Sequence, residues 1–338
     1  MDLFQTASFC IFVFLKINSM IRYIIFTLSI IISLQVFAIQ PKYSIKTKGA
    51  VYSIIIENER LYAATDAGTI DVFNWKTKKQ ITTFKFPMIK DFMGDDMPPK
   101  IYSIDKWPEL ERIVVISQGK HGFRNAFLIE GDHQEQIFFA EKDKMMIKKA
   151  LFIEENKILI ATLGNEVMLY DLASKSFIYK KQFGTSVFSD IDINNDRSQA
   201  AATDESGNIH LIDIATGEKI KDLSGMNLDN IYQVVFNGQK IIGAGQDRRA
   251  SVYSANSSSS YYLESPFIIY SVGLSNNGKW GAYSYGEENF VRVFNIGTKT
   301  EKAMLVGQNS TLTQVKFVED DYIITASEDD LIMVWKWK

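Results

Sequence analysis

The side chains best able to do chemistry are few and scattered. The 338-residue chain holds three histidines, His121, His133 and His210, and one cysteine, Cys10. Metal centres gather several His, Cys or carboxylate ligands at characteristic spacings, and these residues show no such spacing, so no metal is expected. Asp204-Glu205 and Asp329-Asp330 are oxygen-rich pairs in turn-like segments. They lack the spacing of an EF-hand loop, and acids in such turns ordinarily accept hydrogen bonds from nearby backbone amides. There is no Gly-x-Ser-x-Gly elbow and no glycine-rich phosphate loop. No catalytic residue and no cofactor is therefore assigned. One enzymatic alternative stays open, in which scattered carboxylates or a small cofactor meet at a common mouth, as paired acids do in glycoside hydrolysis.

The elements that must position these residues repeat. A strand of alternating apolar residues recurs as IDVFNW (70–75), NAFLIE (125–130), VMLYDL (167–172), IHLIDI (209–214), ASVYSA (250–255), VRVFNI (291–296) and IMVWKW (332–337). Phe73, Leu128, Tyr170, Ile212, Tyr253, Phe294 and Trp335 align, with separations of 55, 42, 42, 41, 41 and 41 residues. The fourth unit shows the plan: strands at 188–193, 199–204, 209–214 and 219–223, joined by NNDR, ESGN and ATGE, turn sequences rich in Gly, Asn and Asp. The second strand of each unit is rich in small residues, as in AAT (63–65), AAAT (200–203) and IGAG (242–245), which suits close convergence of sheets. Four-stranded antiparallel units of about 41 residues arranged around an axis make a propeller. The fold class expected is all-β, a seven-bladed β-propeller over 41–338. The last unit ends with its third strand, and the orphan strand PKYSIK (41–46) is expected to supply the missing outer strand and close the ring.

In this topology the turns between second and third strands share one face with the connections between blades. Several of these turns are charged, including Lys120, His121 and Arg124, then Asp247, Arg248 and Arg249, then Glu287 and Glu288. They read either as solvated tips or as a docking face, since function concentrates on loops held by a rigid scaffold. The long first separation places an insertion at FPMIKDFMGDDMPPK (86–100) on the same face. Phe86, Met88, Ile89, Phe92, Met93 and Met97 stand there among Asp and Lys residues. Apolar side chains with a polar surround mark interaction sites, and methionine adapts to irregular partners. The insertion is therefore expected to contact a protein partner, or else to plug the channel. The second unit is also irregular around Trp107-Pro108 and 118–125.

The layout resembles the WD-repeat propellers (WD40/YVTN-like), through SEDDLIMVWKW (327–337) and TDESGNIHLIDIATGE (203–218). The usual Gly-His pair is absent and six units lack the terminal Trp, so the Asp–His–Ser/Thr–Trp network of that family is not expected. DIATGEKI (213–220) resembles a quinoprotein turn, which implies an envelope assembly factor as another alternative. A leader followed by seven degenerate units in a Lys/Ile-rich chain looks like the NapL family, accessory proteins encoded with the periplasmic nitrate reductase of some ε-proteobacteria. That resemblance implies a non-enzymatic accessory role in nitrate respiration, with reductase subunits or maturation factors as partners.

Residues 1–38 read as a leader. MIRYIIFTLSIIISLQVFA (20–38) has a basic start at Arg22, an apolar run, and Val36 and Ala38 before a possible cleavage point. Translation starting at Met20 and an unusually long leader or membrane anchor from Met1 are both compatible with residues 1–19. Cleavage after Ala38 would leave a periplasmic chain without cysteine or membrane span, monomeric when alone. The formal net charge of -3, with no basic arm and no run of arginines, argues against nucleic acid or another polyanion as partner.

Overall fold

Seven four-stranded units account for nearly all the strands of the computed structural model, which describes residues 38–107 and 110–338. The leader reading falls outside these residues except for Ala38, as does Pro108 of the irregular second unit. Blade four runs Phe188–Ile193, Gln199–Asp204, Ile209–Asp213 and Lys219–Leu223, each strand hydrogen-bonded antiparallel to the next. The other blades follow the same order from inside to outside.

Why these sheets form a ring is visible in the core. Seven apolar clusters each join two neighbouring blades, and the seven pairs run once around the axis. The aligned residues Phe73, Leu128, Tyr170, Ile212, Tyr253, Phe294 and Trp335 are all buried in these clusters. The second strands are buried on both faces, because each blade is covered by a neighbour on either side. Small side chains are a packing requirement there: a Cβ on Gly281 would come within 2.4 Å of the Phe294 ring. Close-packed interiors do not absorb such an overlap without moving the sheet.

Ring closure is as expected. Tyr43–Lys46 pairs antiparallel with Leu331–Lys336 as the outer strand of blade seven. Ile45 is buried in the cluster between blades seven and one. An additional closure was not foreseen: Ala38–Ile39 pairs parallel with Met304 and Leu305, adding a fifth strand to blade six. Three tyrosines of outer strands lock one blade to the next. The hydroxyls of Tyr43, Tyr179 and Tyr261 donate to the carbonyls of Trp75, Ile214 and Ile296 at 2.7, 2.8 and 2.7 Å. Burial pushes the Tyr261 phenol up to about 12, so these hydroxyls keep their protons over the ordinary pH range.

Candidate functional site

The insertion is a short hairpin, Ile89–Lys90 against Asp96–Met97. Asp91 builds its turn by accepting the amides of Met93 and Asp95 at 2.8 and 2.9 Å. That turn holds Phe92 95% and Met93 72% exposed, with Met88 exposed beside them and Ile89 and Met97 half-buried. Phe86 does not belong to this surface. It is buried, with its ring edge-on to Phe127 at 5.2 Å, and it belongs to the core between blades one and two. Its position directly after the outer strand, where the next sheet closes over it, makes it a core residue. None of residues 86–99 lines the central cavity, and Lys100 meets its rim through the Tyr52 ring.

The charged turns of blades five and six lie elsewhere on the ring. Arg248 is exposed, and Glu287 and Glu288 are exposed on blade six. Arg249 is engaged by its own blade: its guanidinium lies 4.2 Å from the Tyr262 ring centroid and donates to the Met226 carbonyl at 3.3 Å. Blade seven separates these turns from blade one, so they and the hairpin form two surfaces. Asp204, grouped with the turn acids, is buried. It accepts from Asn165 at 2.7 Å, from the Ser206 amide at 2.9 Å, and from His210 Nε2 at 3.1 Å. His210 Nδ1 meets Asp222 at 2.5 Å. Burial opposes the charge of Asp204, yet the hydrogen bonds from His210, Ser206 and Asn165 hold it well below the usual carboxylate range. Burial likewise pushes His210 down, and its bonds to both carboxylates outweigh this and raise it.

Blade seven lacks the histidine of the WD-type network, as expected, but carries a network of the same shape without it. Trp335 Nε1 donates to Thr325 at 3.0 Å, Thr325 donates to Gln308 Oε1 at 2.7 Å, Gln308 Nε2 donates to Ser327, and Ser327 donates to Asp329 at 2.7 Å. Gln308 stands where the family has histidine. A carboxamide presents one accepting and one donating end, as a neutral imidazole does.

The residues that line the channel mouth are what sequence reasoning missed. The cavity on the axis measures about 830 Å³. In six blades the innermost strand carries a β-bulge near its start, at Tyr52, Tyr102, Lys148, Ser189, Tyr232 and Thr313. All six residues line the cavity. A bulge inserts one unpaired residue and re-aims its side chain, so the fold repeatedly turns one residue per blade into the mouth. Tyr270 lines the same cavity from blade six and stacks on Tyr232 with centroids 5.4 Å apart. The signal was present as a recurring tripeptide: Val51-Tyr52-Ser53, Ile101-Tyr102-Ser103, Ile231-Tyr232-Gln233 and Ile269-Tyr270-Ser271. Cations sit against two of these rings. Lys100 Nζ lies 3.6 Å from the Tyr52 centroid, and the Arg124 guanidinium 4.1 Å from that of Tyr102.

Below the mouth, carboxylates do converge on the axis, but as ties. Asp105 accepts the Phe152 amide at 2.7 Å, Asp190 the Val234 amide at 3.1 Å, and Asp192 the Phe236 amide at 2.8 Å, each amide lying on the innermost strand of the next blade. Ser53 and Gln233 do the same for Ile104 and Val272. Innermost strands present a free edge, and these side chains satisfy part of it. Burial raises Asp105 and Asp192, with Arg197 and Lys149 respectively pulling them back. Among the described residues no group of three or more His, Cys, Asp or Glu is placed to hold a metal ion.

No protein-family model matches the chain. No curated protein matches it either.

Proposed function

We propose that this protein is an exported, non-enzymatic scaffold that docks a partner protein through the hairpin 88–97 on one propeller face. The observation that carries the reading is the exposure of Phe92 and Met93 at the tip of a turn pinned by Asp91. Ordering two large apolar side chains in water brings the isolated ring little, whereas burying them against a partner removes apolar area at about 25 cal/mol per Å². A preformed turn also lowers the ordering cost of association. Export rests on the leader-like segment 20–38. The specific form of the proposal, carried by the resemblance to the NapL family, is a periplasmic accessory to nitrate reductase.

The test is affinity capture with the tagged chain from the periplasm of nitrate-respiring cells, alongside a variant in which residues 87–97 are replaced by a short Gly-Ser link. Phe86 and the buried Pro99 are kept. Recovery of nitrate reductase subunits by the intact chain and their loss from the variant is the expected result. The variant's melting temperature should fall by no more than about 2 °C, the equivalent of roughly 1 kcal/mol. Failure to recover the reductase overturns the nitrate assignment. Equal recovery by both forms removes the hairpin as the docking element.

A further inference from the structure

The charge around the channel does not cancel locally. Lys149 pairs with Asp190 at 2.9 Å, and Lys76 pairs with Glu319 at 2.7 Å. Arg197 faces Asp105, and Lys149 and Lys316 face Asp192. What is left is an arc on blades two and three. The ion pairs nearest this arc join Lys120 to Glu141 and Lys149 to Asp190, and Lys100, Arg124 and Lys148 form no ion pair among the described residues. Lys148 stands in the cavity at the bulge of blade three. Lys148 is exposed at the mouth, yet desolvation by the cavity wall lowers its pKa, and Lys149, Arg124 and Lys100 press in the same direction against the pull of Asp190. Arg124 Nε is buried with no hydrogen-bond partner. Glu328, on blade seven, is the unmatched acid of the same cavity wall.

We propose that this arc, Lys100, Arg124 and Lys148 with the phenols of Tyr52 and Tyr102, binds a small multiply charged oxyanion, a phosphate monoester or a polycarboxylate. Three cations on adjacent blades match two or three negative charges better than one. Ammonium and guanidinium donors make their strongest hydrogen bonds to such oxygens. A cavity of about 830 Å³ is of the size that takes a small organic ligand. The sequence argued against a polyanionic partner because it has no contiguous basic run. These three cations are separated in the chain, and the ring brings them together. The inference uses no residue of the docking hairpin and stands apart from the partner reading.

The experiment is isothermal titration of the purified chain with citrate and with phenyl phosphate, each against sodium chloride at matched ionic strength. One-to-one binding of either anion is expected. K148M and K100M should each weaken it by about tenfold, and K336Q, on the outer side of blade seven, should leave it unchanged. Lys100 lies at the rim, so K100M carries the test if K148M does not fold. The proposal is overturned if neither anion binds, if chloride gives the same heat, or if K100M binds as tightly as the parent. Binding of pentaglutamate without either small anion also overturns it, and assigns the arc to an acidic segment of a protein.

Discussion

His210 is held between two carboxylates, and its charge is what keeps that site together. Its folded pKa is raised above the ordinary histidine value near 6.5. The stabilisation it contributes is therefore complete below about pH 6.5 and is lost as pH rises through the folded value. Asp204 is depressed, so its share is complete above about pH 3.9 and is lost as pH falls through its own folded value. H210L leaves Asp204 buried without its cation. Urea denaturation near pH 6 should show a loss of about 3 kcal/mol, as when one member of a buried pair is removed. The gap between parent and variant should narrow as pH is raised past the folded value, which ring-proton titration of His210 would locate. A gap independent of pH would mean that His210 acts through packing alone.

At the scale of the element, Gln308 joins the blade connection to the second and third strands of blade seven. Q308A strands Thr325 and Ser327 in the interior and should cost about 2 kcal/mol in denaturant melts. Q308H restores a donor and an acceptor and should stay within about 1 kcal/mol of the parent. Equal losses for both would show that the network is not what the glutamine supplies. This connection illustrates what could be read beforehand. The strands were legible because alternation and a 41-residue spacing survive even where the identities drift. The network was not, because a Gly-His pair signals it only when the residue is histidine, while the physical requirement is a side chain with both a donor and an acceptor. The mouth was hidden for a related reason. Tyr52, Tyr102 and Lys148 break the alternation of their strands by one residue, and although a tripeptide recurs around the tyrosines, only the ladder identifies the slip as a bulge. The insertion between the outer strand of blade one and the inner strand of blade two is legible from the break in spacing. Phe86 was counted with it because composition does not show which end of an insertion turns inward.

The whole molecule depends on its two closing segments. Deleting residues 41–46 removes the outer strand of blade seven, uncovers the edge of Leu331–Lys336 and empties the place of Ile45 in the cluster between blades seven and one. The melting temperature should fall by roughly 10 °C, a loss of several kcal/mol in a domain of this size, and limited proteolysis should cut blades seven and one first. An unchanged melt would mean that the ring holds without its clasp.

The same clasp imposes an order in time. Tyr43 pairs with Val334, so this strand has no partner until roughly 290 further residues are made. At about 5–20 residues per second that interval is roughly 15–60 s. Throughout it, a four-residue β-forming segment waits beside an unfinished blade, where wrong pairing with another chain is the standing hazard. Its brevity and the lysines at positions 42 and 46 are the features that discourage such pairing. Closure cannot precede the making of residues 331–334, and a chain interrupted before them leaves the strand at 43–46 unpaired.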